Sequence, residues 1–362
     1  MAETGTGAPP PRSDYRLEHL RKVLGDRYAF DKLIGRGGFA AVYRVRNLRL
    51  ERVEALKVLN DDHSGEKEFS ERFTNEARVA AALDHPSIVK IYDFGEVSGI
   101  FWYSMQLIEG STLADRMDLT GPMDEAAAAR IAVPVLDALD YSHRRGVIHR
   151  DIKPDNIILD EKGRPYLMDF GIAKSTGSAL KTQTGFVLGT PAYVSPEQAT
   201  GTGLDGRADL YSFGITLYEM LTGKLPFEAA DGLQAVLKRL TTDPEPPSRK
   251  RPVGREMESI VMKALARQRE SRFSSALEMR ASLEAFLART TGSGPALLSG
   301  TSVSQETIVA AERPPSRAGE AREPTPEPAH TPFSPTLLVP PPAVPAPVEA
   351  PVAPAGPPPP AT

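Results

Sequence analysis

The 362-residue chain contains no cysteine. That absence excludes disulfides, thiolate metal sites and thiol-based redox control. A run of about 18 apolar residues, the length a membrane-spanning helix requires, is also missing. Residues 1–13 lack the apolar centre of a signal peptide, so a cytoplasmic protein without a membrane span is expected. Nor is there a large charge of either sign: 43 Lys and Arg against 47 Asp and Glu give a formal net charge of −4. The charges are well mixed, and the basic triplet Arg249-Lys250-Arg251 is short enough to be solvated surface. No nucleic acid or anionic membrane is therefore expected as an electrostatic partner. What the chain does have is a 40% hydrophobic fraction, which supports a sizeable core. The length suits two or three domains, or one domain of about 260 residues with flanking segments.

The chain is organised around His149-Arg150-Asp151-Ile152-Lys153-Pro154-Asp155-Asn156. A long helical pattern over 124–144 precedes this stretch, and an apolar run over 157–159 that reads as a strand follows it. It is thus a loop held at both ends, the usual setting for chemistry. Asp151 and Asn156 offer oxygen atoms, with the Lys153 ammonium between them. Such a set suits phosphoryl transfer, because a carboxylate takes the hydroxyl proton, an amide oxygen binds a hard cation and an ammonium neutralises phosphate charge. Alone, the same residues would also make an ordinary polar loop.

Upstream, 30–34 and 41–45 read as strands flanking the glycine-rich turn Gly35-Arg36-Gly37-Gly38-Phe39-Ala40-Ala41-Val42, and a third strand over 53–59 carries Ala55-Leu56-Lys57. Gly35, Gly37 and Gly38 let main-chain N–H groups close over phosphates with no side chain in the way. Further strands are expected over 88–94, 100–105 and 166–168. Helical spacing marks 15–24, 66–83, 111–117, 209–222, 229–240, 255–266 and 275–288. Pro134 lies inside the helix over 124–144, where it removes an N–H donor and should bend the helix. Residues 174–187 are mostly Ser, Thr, Gly and Lys and read as a mobile loop. About half of the 34 prolines fall in the last fifty or so residues, so the tail after 289 cannot bury a core.

These motifs occur in one order, and in that order the chain resembles the eukaryotic-type (Hanks-type) serine/threonine protein kinases, more narrowly their bacterial branch, over 28–289. The residues that carry the resemblance are the glycine-rich turn, Ala55-Leu56-Lys57, Glu76, the loop 149–156, Asp169-Phe170-Gly171, Ser195-Pro196-Glu197, Asp209 and Arg272. It implies an α+β fold of two lobes, a small antiparallel β-sheet lobe with one regulatory helix and a larger, mainly α-helical lobe. Residues 1–27 would be a disordered segment with a short helix, 28–289 the kinase domain and 290–362 a Pro/Ala-rich disordered tail. It implies ATP with Mg²⁺, or Mn²⁺ in its place, and protein substrates bearing Ser or Thr.

By the same resemblance Asp151 is the base, Lys153 steadies the transferring group, and Asn156 and Asp169 hold the metal. Lys57, paired to Glu76, places the phosphates beneath residues Ile34 to Val42 of the glycine-rich turn. Val42, Ala55 and Ile158 sandwich the adenine, Met105 lies behind it and 106–110 form the hinge. Glu197 should pair with Arg272, and Asp209 should cap the catalytic loop from below. Ala40 stands where the family has its third glycine, which implies a stiffer turn, and Ser195 replaces the commoner alanine. Thr182-Gln183-Thr184 resembles the doubly phosphorylated Thr-x-Thr of bacterial relatives, and the Arg150 guanidinium can bind such a phosphate bidentately next to Asp151. Thr182 and Thr184 are therefore the expected autophosphorylation sites. The tail could dock proline-motif readers or phosphothreonine-reading partners, or serve only as a linker. The rival function is a pseudokinase scaffold without turnover, disfavoured because no charged position of the catalytic set is replaced.

Overall fold

The computed structural model describes residues 12–37, 40–59, 67–170, 191–228 and 232–292. By contacts the chain divides into 1–298 and 299–362, and the second unit lies outside the described residues. So do Gly38, Phe39, Gly171, Thr182, Thr184 and Thr190.

The small lobe is a five-stranded antiparallel sheet in the order β1-β2-β3-β5-β4. Its strands are β1 (Tyr28–Arg36), β2 (Ala40–Asn47), β3 (Arg52–Leu59), β4 (Ile91–Val97) and β5 (Ile100–Gln106). Side chains alternate faces along each strand, and here both faces are covered. On the outer face Tyr28, Val45, Leu56, Val58 and Trp102 join Leu20 and Leu24 of helix α1 (Arg12–Leu24) in one apolar cluster. Leu20 and Leu24 are almost fully buried there, worth about 1.5–3 kcal/mol each. On the inner face Ala55, Leu59, Tyr103 and Met105 join Phe73, Ala77 and Ala80 of helix α2 (Lys67–Ala81) in the main core. Strands β1 to β3 extend beyond the spans expected from periodicity, since hairpin pairing holds the flanking residues whatever their polarity.

Three short strands, β6 (Gly110–Thr112), β7 (Ile157–Asp160) and β8 (Pro165–Leu167), form a second sheet at the start of the large lobe. The helix expected over 111–117 instead begins after β6, as α3 (Leu113–Thr120). Thr112 is its N-cap and forms a capping box with Asp115. Helix α4 (Glu125–His143), capped by Asp124, runs through Pro134 as one helix. Helix α5 (Pro196–Thr200) was not expected from apolar spacing, which a five-residue helix is too short to display. The helices α6 (Arg207–Thr222), α7 (Gly232–Thr241), α8 (Arg255–Ala264) and α9 (Ala276–Gly292) complete the lobe. Nearly every side chain of α6 is buried, so this helix is the centre of the lobe rather than part of its surface. Helix α9 continues to Gly292, past the domain end expected at 289.

Candidate active site

The loop between α4 and β7 is held by its backbone. Arg150 adopts a left-handed conformation, φ 65°, which costs a non-glycine residue of order 1–3 kcal/mol. Two neighbours hold it there. The Asp209 carboxylate, from the first turn of α6, accepts the N–H groups of His149 and Arg150, each at 2.8 Å. Gln198 of α5 donates its Nε2 to the Arg150 carbonyl at 2.9 Å. Asp209 is buried, and burial alone would raise its pKa; hydrogen bonds from His143 and His149, and the charge of His143, hold it below the ordinary carboxylate value.

This clamp aims the next residues. Asn156, on the 3₁₀ turn Pro154–Asn156, donates Nδ2 to the Asp151 carbonyl at 2.7 Å and to its carboxylate Oδ2 at 2.9 Å. The Lys153 ammonium lies 3.7 Å from the same Oδ2. A carboxylate, an amide and an ammonium thus converge within one short loop.

Asp169 arrives from β8. His149 holds the preceding carbonyl of Met168 at 2.8 Å, so its Nε2 carries the proton, and the Met168 N–H donates to Asn156 O at 2.9 Å. Asp169 is itself left-handed, φ 64°, and Phe170 packs its ring 4.5 Å from that of His149. From the small lobe, Lys57 forms an ion pair with the Asp169 carboxylate. The pair expected between Lys57 and Glu76 is therefore not the one made; Glu76 is half-buried on α2. The strand register sets Val42, Lys57 and Tyr103 in one row across β2, β3 and β5, facing Asp169. Tyr103 donates its hydroxyl to Asp169 Oδ1 at 2.6 Å. Burial would raise the Asp169 pKa, but the Lys57 charge and hydrogen bond, the Tyr103 hydroxyl and His149 together bring it below the ordinary value. Tyr103 itself is pushed well above the usual phenol range by burial and by the neighbouring carboxylate.

Around the row, Ala55 and Met105 are buried, Val42 is half-buried against the same core, and Ile158 of β7 is half-buried. Ile34 and Arg36 are exposed, Gly35 opposes Val42, and the turn is closed by Gly37 N–H to Ala40 O at 2.8 Å. Ala41 faces the opposite, α1-covered side.

The donors fit a small hard cation. Both contacts of the Asn156 amide nitrogen go to Asp151, which leaves its oxygen for a metal, and Asp169 supplies a carboxylate. Among the described residues no group of three His, Asp or Glu could hold a metal alone. The remaining ligands would be phosphate or water oxygens, the usual arrangement for Mg²⁺.

Behind the loop, Glu197 and Arg272 form a bidentate buried ion pair at 2.7 and 2.9 Å. The segment 192–194 is fixed by residues the sequence reading did not single out. Arg239 of α7 donates to Ala192 O at 2.6 Å and to Val194 O at 3.3 Å, Ser212 Oγ to Tyr193 O at 2.7 Å, and the Tyr193 hydroxyl to Glu219 at 2.6 Å. Gln198 and Tyr103 were missed as well. A signal existed for both: Gln198 is the third residue after Ser195 in a capping-box pattern, and Tyr103 shares a strand face with Met105 two residues on. Nothing in the sequence marks Arg239.

The protein kinase domain family matches residues 28–283. The chain is 40% identical over 316 residues to the serine/threonine-protein kinase PknB of Mycolicibacterium smegmatis, covering 84% of this chain and 50% of that protein. It is 39% identical over 268 residues to the serine/threonine-protein kinase PrkC of Bacillus subtilis, covering 73% and 41%. The chain thus spans about half the length of the curated relatives it matches. Among solved structures, the PknI kinase domain of Mycobacterium tuberculosis superposes with a TM-score of 0.59 at 29% identity, over 71% of this chain and 95% of that one. Rad53 in complex with AMP-PNP gives 0.60 at 26%, over 71% and 65%. A family match that runs from the first strand of the small lobe into the last helix of the large one, across a loop of this geometry, makes the chain a member of the protein kinase family.

Proposed function

We propose that the protein transfers the γ-phosphate of ATP to Ser or Thr hydroxyls of protein substrates. The observation that carries this reading is the Asp151 carboxylate held by Asn156 with Lys153 beside it. Asp151 accepts the proton of the substrate hydroxyl as its oxygen bonds to the γ-phosphorus and the bond to the β-phosphate oxygen breaks, releasing ADP. Lys153 offsets charge on the transferring group, and Lys57 offsets charge on the nucleotide phosphates. Asn156 and Asp169 would hold Mg²⁺, which would supply positive charge to offset that of the phosphates. Ser/Thr rather than Tyr preference is supported by the names of the relatives and by Lys153 within Asp151-Ile152-Lys153. The cytoplasm, where ATP is available, is the proposed place of action.

Incubation with γ-labelled ATP, Mg²⁺ and a generic Ser/Thr peptide tests the assignment. Lys57→Met, Asp151→Asn and Asp169→Asn should each remain folded and lose detectable transfer. Wild-type turnover in any of these folded variants refutes it, and an inactive wild type that still binds nucleotide establishes the scaffold alternative. Phosphate should also appear on Thr182 or Thr184 of the active protein and not on Asp151→Asn made without another kinase. Phosphopeptide mapping decides that point, and equal phosphate on the two proteins overturns it.

A further inference from the structure

We propose that Tyr103 is a positioning residue of the phosphate and metal site, its hydroxyl fixing the rotation of the Asp169 carboxylate about its own axis. The proposal rests on the reading of Asp169 as a metal ligand. Four observations carry it. The Tyr103 hydroxyl lies 2.6 Å from Asp169 Oδ1, while Lys57 engages the other oxygen, Oδ2. Tyr103 is 3% exposed within the main core. Its strand is paired on both sides, opposite Lys57 of β3 and Phe94 of β4, so the ring is carried by the rigid centre of the sheet. Finally, Asp169 stands at a left-handed backbone position, where its side-chain direction depends on the contacts that hold it.

Lys57 alone would not settle the carboxylate. An ammonium on a flexible four-carbon stem is a point charge that draws one oxygen toward it and leaves the carboxylate plane free to turn. A second donor of fixed position on the other oxygen removes that freedom. An ionised carboxylate has about four lone-pair sites, so two donors leave two sites for a hard cation. The two contacts therefore orient the ligand without blocking it, as outer-shell partners of metal ligands commonly do. A buried phenol that merely needed an acceptor would have no effect on the metal, and the two roles separate experimentally.

The 362-residue chain and its Tyr103→Phe form are titrated with Mn²⁺ in the presence of saturating AMP-PNP, and free Mn²⁺ is read by electron paramagnetic resonance. The Phe variant should bind Mn²⁺ about tenfold more weakly or worse. Affinity for AMP-PNP in EDTA should change less than about threefold. In turnover, half-maximal Mg²⁺ should rise by a similar factor, with kcat at saturating Mg²⁺ within about threefold of wild type. Replacing Tyr103 with 4-aminophenylalanine, which restores a donor at the same place, should recover most of the lost affinity. Unchanged or tighter Mn²⁺ binding in a folded Tyr103→Phe protein overturns the proposal. If the Phe variant does not fold, 4-fluorophenylalanine at position 103, which fills the place of the hydroxyl without a donor, carries the test: it should bind Mn²⁺ about tenfold more weakly, and wild-type affinity overturns the proposal. Asp169→Asn separates the two levels of inference. If it keeps wild-type Mn²⁺ affinity, Asp169 is not a metal ligand and the underlying reading fails. If it loses Mn²⁺ while Tyr103→Phe does not, only the role of Tyr103 fails.

Discussion

Arg272 offers the sharpest test of how the large lobe is held together. A guanidinium has five N–H donors, and all five are used. Nε donates to Ala266 O at 2.7 Å, Nη1 to Glu197 Oε1 at 2.7 Å and to Arg207 O at 3.1 Å, and Nη2 to Glu197 Oε2 at 2.9 Å and to Arg267 O at 3.1 Å. The Arg272 side chain is fully buried and Glu197 nearly so. Arg272→Met keeps the volume but leaves the Glu197 charge without its partner, which costs about 3–5 kcal/mol. For a domain of this size 1 kcal/mol moves the melting temperature by roughly 2–4 °C, so a fall of about 10 °C is expected. Arg272→Lys should recover little, because three donors on one nitrogen cannot span a carboxylate and three carbonyls set in a plane. Glu197→Gln should cost less, about 1.5–3 kcal/mol, since the amide oxygen still accepts one bond. In the double variant the orphaned charge disappears, so the two effects should fall short of adding by about 2 kcal/mol. Urea unfolding of the four proteins, followed by circular dichroism, measures that coupling. A coupling below about 0.5 kcal/mol, the level of an exposed pair, would refute the reasoning.

Three further outcomes are expected. Burial lowers the His149 pKa, more than Asp209, Asp151, the Met168 carbonyl and Asp169 raise it. The folded state thus resists protonation more than the unfolded chain, whose His titrates near 6.5. This contribution to stability is full above that value and lost as pH falls below it, by at most about 1.4 kcal/mol per pH unit. Urea midpoints between pH 7.5 and 5 should show the loss, and His149→Gln should flatten it; an equal slope in both proteins counts against this account. A Cβ on Gly214 of α6 would stand 2.9 Å from the Ala264 Cβ and 3.2 Å from Leu265 Cδ2, where α8 packs closely. Overpacking of about 1–3 kcal/mol should outweigh the roughly 1 kcal/mol gain in helix propensity. Gly214→Ala should therefore lower the melting temperature, and a rise would show that α6 and α8 separate freely. Removing residues 293–362, after the end of α9, should leave transfer to a generic peptide within about tenfold, as expected of a composition so rich in proline. A larger loss in steady-state rates would establish that the tail acts on the catalytic domain.

Chemistry tied to local order was legible in the chain itself. Asp151, Lys153 and Asn156 lie within six residues, so any conformation of that loop keeps them near one another. The apolar run over 53–59 marked the strand that carries Lys57, and helical spacing over 66–83 marked α2. Other features depend on distances along the chain that no local pattern encodes. That Lys57 meets Asp169, 112 residues away, depends on how β3 packs over the segment that follows β8, and the register of β3 against β5 only fixes the face that Lys57 shares with Tyr103. The same register makes Tyr103, an ordinary core aromatic by its sequence, a donor to a carboxylate. Asp209 and Gln198 hold the strained backbone of Arg150 only because α5 and α6 pack beneath the loop, and Arg239 reaches Ala192 only through the packing of α7. The sequence determined which groups are available and which near neighbours they keep. Tertiary packing alone decided which distant polar groups meet, since a buried donor or acceptor must find a partner and the closed core limits the choice.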